Sequence, residues 1–503
     1  MNLLIIHPGH TMPRHSKVLK VISMLIKKII SPKIYLTDFK SIHFANDIRS
    51  GLGSVPETKA PFSWNFKRDI FDIKFNKEFK FCDAKMQLNK YITKKEKKEI
   101  ICFLNSLPKS LSVNDLMKMN WRGVNIGTSI WSSIQRYCFI GKPNDLKLIP
   151  NTILYEYIKS GLYIATSFDN LFKTRLFDLV LLNEVAYINW GLPMKFALKY
   201  SIKVIALSHG YLGNKYIGIN TYNNLNDIII PCGVPNDIEL DQIYSDSNLK
   251  NKYISIYNEF FGQFENKYKS LINKLDLTSN SHNNKIQVVI FTHLCWDATL
   301  AYADKLFETF EDWLVETFNI ARNNPNVNWV FKVHPHEADL SMSPRSESTS
   351  PIVNTYTFLK DLLNNYPSKN ITIFTKSDNM LILPYTNYCV SVLGTCRYEL
   401  ASLGIPVILA EKSMSKNNGF SICASSIKDY NRILNNISSY SINEEQIELA
   451  KIYAGAYYDK ERYFDLTDLF LDNNFNNKIN ENKIDMFLTN EFNNKLIEKI
   501  LDV

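Results

Sequence analysis

The 503-residue sequence has no CxxC pair among its eight cysteines, Cys82, Cys102, Cys138, Cys232, Cys295, Cys389, Cys396 and Cys423, and several of them lie inside apolar runs. Disulfide frameworks belong to small secreted domains, so this dispersal reads as reduced thiols in a cytoplasmic protein. The opening residues Met1 to Pro8 carry no basic leader, and their apolar run is far shorter than a signal core or the roughly 20 residues of a membrane span. No apolar stretch elsewhere is long enough to span. The histidines are scattered, HExxH is missing, and no Asp-x-Asp is flanked by apolar strands, so neither a metal nor another cofactor is expected. An Arg-rich arm, zinc-finger spacing and an aromatic RNA-binding signature are also missing, which argues against a nucleic-acid partner. The absence of an internal repeat argues against a solenoid or propeller.

What is present is ordinary globular material, 45% hydrophobic and 21% charged, long enough for two cores. Lys+Arg 58 against Asp+Glu 50 gives +8, a mild surplus that suits phosphates, acidic glycans or lipid headgroups. The stretch Ile479 to Val503 mixes Lys with Ile, Leu and Phe; it reads as an ordinary packing helix or as a peripheral membrane contact at the inner face of the cell membrane.

The chain alternates short apolar runs with helical periodicity. Leu3 to Ile6 reads as a strand and Ser16 to Ile30 as a helix, while 62–148 is lysine-rich and aromatic, a mixed or helical insertion. Asp178 to Leu182, Gly191 to Tyr200 and Ile202 to Leu207 form a βαβ unit, followed by a strand at Asp227 to Pro231 and a helix through Tyr253 to Leu275. The polar run Thr278 to Asn284 is the linker. Strands at 286–291, 329–333, 371–374, 388–392 and 406–409 then alternate with helices at 301–321, 357–363 and 397–403. The expectation is an α/β protein of two Rossmann-like domains facing a central cleft: an acceptor-side domain over 1–278, a nucleotide-binding domain over 285–470 and a helical tail over 471–503.

Five places carry candidate chemistry. In Asn328 to Glu337 a strand runs into a proline, so Lys332 and His334, on one face with Pro335 behind them, can hold a phosphate; the plainer alternative has His334 bonding backbone. In Cys389 to Val407 a strand, a small-residue turn and a helix form an anion cradle. There Gly394 lets backbone approach, Thr395 caps the helix, Arg397 grips phosphate and Glu399 accepts from ribose or sugar hydroxyls. Asp297, after the strand ending at Phe291, is either the carboxylate of a glycosyl transfer or a helix N-cap. Glu184 and His209 end neighbouring strands as an acid/base couple, and His10 and Arg14, in a loop without P-loop spacing, face an acidic acceptor.

FTHLCWDAT, EDWLVET, VFKVHPHE and SVLGTCRYELASLGIPVIL, in this order over 285–412, resemble bacterial capsule and surface-polysaccharide biosynthesis proteins of the GT-B glycosyltransferase kind. LLNEVAYINWGLPMKFALKYSIKVIALSHG is a fainter match. The His-Pro dipeptide is similar to the nucleotide-binding motif of transferases that use CMP-activated sialic acid or Kdo. The resemblance implies that His334 and Pro335 lie at the cytidine phosphate, Ser391 and Thr395 near the phosphate and Glu399 near the ribose, with Asp297 or Glu184 doing the chemistry. The acidic Asp/Glu-Asp/Glu-Gly motif of polysialyl-type enzymes is absent. The implied activity is transfer of a sugar from a nucleotide-sugar donor, CMP-Kdo by preference, to a glycan or lipid-linked glycan of a capsule or lipopolysaccharide, without metal. On the same architecture stand a nucleotide-sugar 2-epimerase, a polyol-phosphate transferase and a non-catalytic assembly scaffold.

Overall fold

The computed structural model describes residues 1–7, 13–39, 81–108, 110–138, 151–209, 216–225, 235, 237–278, 285–294, 306–307, 309–335, 355–392, 394–411, 418–466, 469 and 480–502. The protein is α/β, as the alternation predicts, and its two main sheets pair their strands mostly in parallel. In the first, β1 (Asn2–Ile5), β2 (Lys33–Asp38), β3 (Ala84–Gln87), β4 (Leu179–Leu182) and β5 (Lys203–His209) run parallel in the order β3-β2-β1-β4-β5. β6 (Tyr216–Tyr222) adds to β5 antiparallel. Every residue of β4 is buried, as befits a strand covered on both faces. Helices α1 (Pro13–Ile30), α2 (Asn151–Lys173) and α3 (Ile188–Lys199) supply Leu19, Ile22, Phe168 and Phe196 to that core.

In the second sheet all six strands are parallel: β7 (Gln287–Phe291), β8 (Asn328–Lys332), β9 (Ile371–Phe374), β10 (Tyr388–Ser391), β11 (Val407–Leu409) and β12 (Ser421–Cys423). Their order is β9-β8-β7-β10-β11-β12. Around it lie α4 (Ser247–Thr278), α5 (Phe310–Asn323), the single-turn α6 (Cys396–Ala401) and α7 (Glu444–Tyr457). α5 begins where Thr309 accepts a hydrogen bond from the Asp312 amide, and it buries Trp313, Leu314 and Phe318 against the strands. The strand expected at Asp227 to Pro231, most of the expected linker and the start of the helix expected from Ala301 lie outside the described residues.

The two cores are not consecutive in sequence. Leu240, Tyr257 and Tyr268, from 237–278, pack with Leu400, Val407 and Tyr453 of the second sheet's side. The chain then returns: β13 (Phe464–Asp465) pairs antiparallel with β6, and α8 (Glu481–Thr489) and α9 (Glu491–Leu501) bury Ile484, Phe487 and Ile497 in the first core. The tail thus has a packing face. Among the described residues, no helix is long and apolar enough to cross a membrane.

Gly455 fixes how closely α7 approaches α4, because a Cβ there would lie 1.9 Å from the Tyr253 carbonyl oxygen. In the lysine-rich insertion, the helix Lys94–Ser106 starts with a Thr93–Glu96 capping box. Glu96 also accepts from Arg122 Nη2 at 2.7 Å, and Arg122 Nη1 reaches Asp169 at 3.1 Å. Lys199, Lys173 and Tyr200 bond the same carboxylate, whose side chain is 1% exposed. Burial alone would raise the Asp169 pKa, but the bonds from Lys199, Lys173 and Tyr200 outweigh it and bring it down. Glu96 is likewise held down, to about 2, where hydrogen bonds from Asn170, Thr93 and Arg122 overcome burial.

Two outcomes follow for stability. Gly455→Ala should destabilise by about 1–3 kcal/mol, measured by urea unfolding, since the two helices must part. Both carboxyl pKa values are depressed, so their contribution is present above the unfolded-chain value near 4 and lost as pH falls through the folded-state values, about 2 for Glu96. Asp169→Asn should cost roughly 2 kcal/mol at pH 7 and flatten the acid limb of a stability–pH curve; an unchanged limb would remove the cluster from that role.

Candidate functional site

A parallel sheet wound in the order β9-β8-β7-β10-β11-β12 changes direction once, between β7 and β10. Crossovers on either side of that point leave to opposite faces, so a crevice opens beyond the carboxyl ends of these two strands. Past β7 come Thr292, buried, and His293, half-buried; past β10 come Val392, buried in the core, then Gly394 and Thr395, both half-buried.

His293 is the chemical centre of this crevice. Its Nε2 lies 3.2 Å from Ser391 Oγ, at the end of β10, and its ring stacks on Phe310 at 4.9 Å and 17°. The Thr355 hydroxyl donates to its backbone carbonyl at 3.3 Å. Gly394 has φ +117, which disfavours any side chain, and a Cβ there would sit 3.6 Å from His293 Cε1. The imidazole therefore faces bare backbone. Thr292 joins β7 to β8: its hydroxyl donates to the Lys332 carbonyl at 3.1 Å and accepts from the His334 amide at 3.2 Å.

Of the residues expected to bind a donor, Ser391, Gly394 and Thr395 are brought together here, with Glu399 one turn on. Thr395 differs from expectation in detail. It has helical dihedrals and makes no side-chain cap bond; its hydroxyl bonds Glu399 instead. Burial pushes the Glu399 carboxyl pKa up, opposed by the bonds from Thr395 and from Tyr458, whose hydroxyl donates at 3.3 Å. Half-buried His334 and Pro335 follow β8, one strand over from His293.

Two of the expected phosphate-gripping cations turn inward. Lys332 is buried, donates to the Lys376 carbonyl at 3.1 Å and lies over the Phe374 ring, so strand alternation places it in the β9-side packing. Burial lowers its pKa, with Asp378 opposing. Arg397 is 3% exposed; Nη2 donates to the Tyr453 hydroxyl at 2.9 Å, and its guanidinium is within electrostatic reach of Glu411, which is fully buried. The one-turn helix points this side chain into the tyrosine cluster beneath the crevice.

The first sheet changes direction between β1 and β4, and beyond those strands stand His7, buried, and Glu184. The His7 amide donates to Thr37 Oγ1 at 3.0 Å, and Glu184 Oε1 accepts from the Val185 amide at 2.8 Å. His209 ends β5, next to β4, and Arg14 opens α1, but their side chains are outside the described set. Asp297 and His10 lie outside the described residues altogether. Sequence reasoning passed over His293 for Asp297, although the signal was present: it stands two residues past an apolar strand, in the first position clear of the ladder. Among the described residues, no three His, Cys, Asp or Glu side chains gather as a metal would require.

No family model and no curated protein matches the sequence. Solved structures do. One is UDP-GlcNAc 2-epimerase from Neisseria meningitidis bound to UDP-GlcNAc, with 12% identity over 91% of this chain and 96% of that chain at a TM-score of 0.25. A second is Thermosulfurimonas dismutans KpsC, beta Kdo 2,7 transferase, with 14% identity over 58% of this chain and 79% of that chain at 0.32. A third is Methanocaldococcus jannaschii UDP-GlcNAc 2-epimerase in complex with UDP-GlcNAc and UDP, with 12% identity over 89% and 98% at 0.27. Likenesses this distant transfer no activity, and the chemistry has to be argued from this chain's residues.

Because Arg397 serves the core, Arg397→Ala should leave Glu411 buried without its cation and destabilise by about 3 kcal/mol in urea unfolding. A variant of parental stability that loses only ligand binding would return Arg397 to the crevice.

Proposed function

We propose that the protein is a glycosyltransferase that moves a sugar from a nucleotide-activated donor to a growing bacterial surface polysaccharide, with the donor in the crevice between β7 and β10. The observation that carries this reading is the convergence of His293, Ser391 and the side-chain-free Gly394 at the point where the second sheet reverses. Bare backbone admits a phosphate or ribose closely, the imidazole supplies a hydrogen-bonding edge, and half-buried Glu399 stands one turn away to accept from hydroxyls.

The donor we favour is a CMP-linked ulosonic acid such as Kdo, as the His334-Pro335 resemblance implies. In that transfer the bond from the anomeric carbon to the CMP phosphate oxygen breaks and a bond from an acceptor hydroxyl oxygen forms. CMP leaves with the electron pair, and the hydroxyl proton passes to a carboxylate base. Glu184, beyond the first sheet's strands, and Asp297 are the candidates for that base, with His209 in support. The glycan or lipid-linked acceptor would lie on the first sheet's side, with His10 and Arg14.

Calorimetry with CMP and with UDP tests the site. One of them should bind and raise Tm, and Gly394→Val, which forces a branched side chain toward His293 at φ +117, should lower the ligand-free Tm and, at a temperature where the variant is still folded, weaken that binding at least tenfold. Incubation with CMP-Kdo and with UDP-GlcNAc then separates the chemistries. Release of CMP with sugar on an acceptor supports transfer, whereas conversion of UDP-GlcNAc to its 2-epimer without transfer makes the protein an epimerase. Failure of both nucleotides to bind would overturn the site itself.

A further inference from the structure

Helices α4 and α7 border an open cavity of about 550 Å³, within the roughly 300–1,000 Å³ of small-ligand sites. Gly262, in the interior of α4, lines it. Glycine weakens a helix interior relative to alanine, and packing does not ask for it here: a Cβ at this position would meet nothing within 4 Å. Gly455, on the facing helix, is the opposite case. What Gly262 does is leave the cavity a gap without a side chain. Asn258 and Asn266 stand four residues to either side of it on the same face of α4, about 12 Å apart along the axis. Gln263 adds a third carboxamide, and among the described residues none of the three has a hydrogen-bond partner.

The rest of the lining is charged. Glu265, 6% exposed, accepts from Lys269 Nζ at 2.6 Å and from Lys451 Nζ of α7 at 2.9 Å. Burial alone would raise the Glu265 pKa, but the bonds from Lys269, Lys451 and Tyr257 bring it down, so the group is a carboxylate. Two ammonium groups against one carboxylate leave a surplus of one positive charge at the cavity.

We propose that this cavity binds an acidic sugar unit of a polysaccharide, its carboxylate at Lys269 and Lys451 and its ring over Gly262 between the carboxamides of Asn258 and Asn266. A carboxamide offers both donor and acceptor, and so does each sugar hydroxyl. An ionised phosphate offers acceptors alone and would leave the carboxamide oxygens unmatched. None of these residues lines the crevice between β7 and β10, so this is a second site. A polymerising enzyme that grips its chain away from the reacting end keeps that end at high effective concentration between transfers. Identifying the bound chain as the enzyme's own product rests on the proposed transferase reading; the preference of the cavity does not.

The test titrates the full chain, with CMP present to fill the crevice, against a short Kdo oligosaccharide, maltotetraose as a neutral chain and polyphosphate as bare charge. The Kdo oligosaccharide should bind at least tenfold more tightly than the other two. Gly262→Leu, which fills the gap, should weaken that binding at least tenfold, and Asn266→Ala, at an exposed position, at least threefold, with the Kd for CMP within twofold in both. Gly262→Ala should raise Tm by about 1–2 °C, because the parent keeps its glycine at a cost in stability. With the transfer reaction in hand, Gly262→Leu should shorten the products while kcat on a short acceptor stays within twofold. Failure of the Kdo oligosaccharide to bind, equal binding of maltotetraose or polyphosphate, or binding untouched by both Gly262→Leu and Asn266→Ala each overturns the proposal. A Tm lowered by Gly262→Ala would return the glycine to the fold and overturn it too, and products of parental length would overturn the chain-holding role. Acidic-sugar binding by a chain that releases no CMP from CMP-Kdo would leave the cavity's assignment standing and overturn the transferase reading alone.

Discussion

A fully parallel sheet cannot close its own connections, and that constraint generates the site. Each strand of the second sheet must be reached by a crossover, and helices cover both faces; where the winding reverses, between β7 and β10, two successive crossovers leave in opposite directions. The gap there is a by-product of topology. It becomes chemically specific because the residues at its two lips bond across it: Ser391 Oγ to the Phe291 carbonyl, and His293 Nε2 to Ser391 Oγ. Those bonds tie side chains to the ends of adjacent strands, the most rigid part of the molecule, so an imidazole beside open backbone keeps one orientation.

The chain's path couples that rigid sheet to the other. Segment 237–278 packs with the second sheet's core, and β13, α8 and α9 return to the first. Ion pairs at both passages, Arg462 with Glu239 at 2.8 Å and Lys252 with Asp459 at 2.9 Å, join 237–278 to the returning strand. These pairs are partly exposed and individually weak; the buried aromatic contacts of Tyr257, Phe261 and Tyr458 do more to hold α4 in place. Tyr257 also donates to Ser402, at the end of α6, and Tyr458 to Glu399 within it. The long helix thus braces the same short turn that borders the crevice.

The fold class was legible because a strand buried on both faces is a continuous apolar run, and β4, β7, β8 and β10 are such runs. β2, with Lys33, Tyr35 and Asp38 in it, and β12, Ser-Ile-Cys, carry too little apolar signal and escaped notice. Site position was legible as well, since Gly394 and Ser391 mark a strand-to-turn junction in sequence. Side-chain direction was not. Lys332 and Arg397 each stand within two residues of a crevice position, and sequence spacing gives no way to tell that one points under β9 and the other into Tyr453. That choice is made by tertiary partners, the Lys376 carbonyl 44 residues from Lys332 and the Tyr453 phenol 56 residues from Arg397.

The inward turn of these cations shapes the selectivity of the crevice. Lys332 donates to an interior carbonyl and Arg397 lies within electrostatic reach of a buried carboxylate, so both cations serve the interior. A ligand there meets an imidazole, a hydroxyl-bonded carboxyl and bare peptide groups in a setting of reduced dielectric. Hydrogen-bonding groups of this kind discriminate by geometry, because an unmatched group buried against them costs about 1–3 kcal/mol. A pair of full cations would instead attract any phosphate from a distance and read little of what is attached to it. The donor proposed for this chain calls for discrimination of that kind, because hydroxyl pattern distinguishes one nucleotide-linked sugar from another.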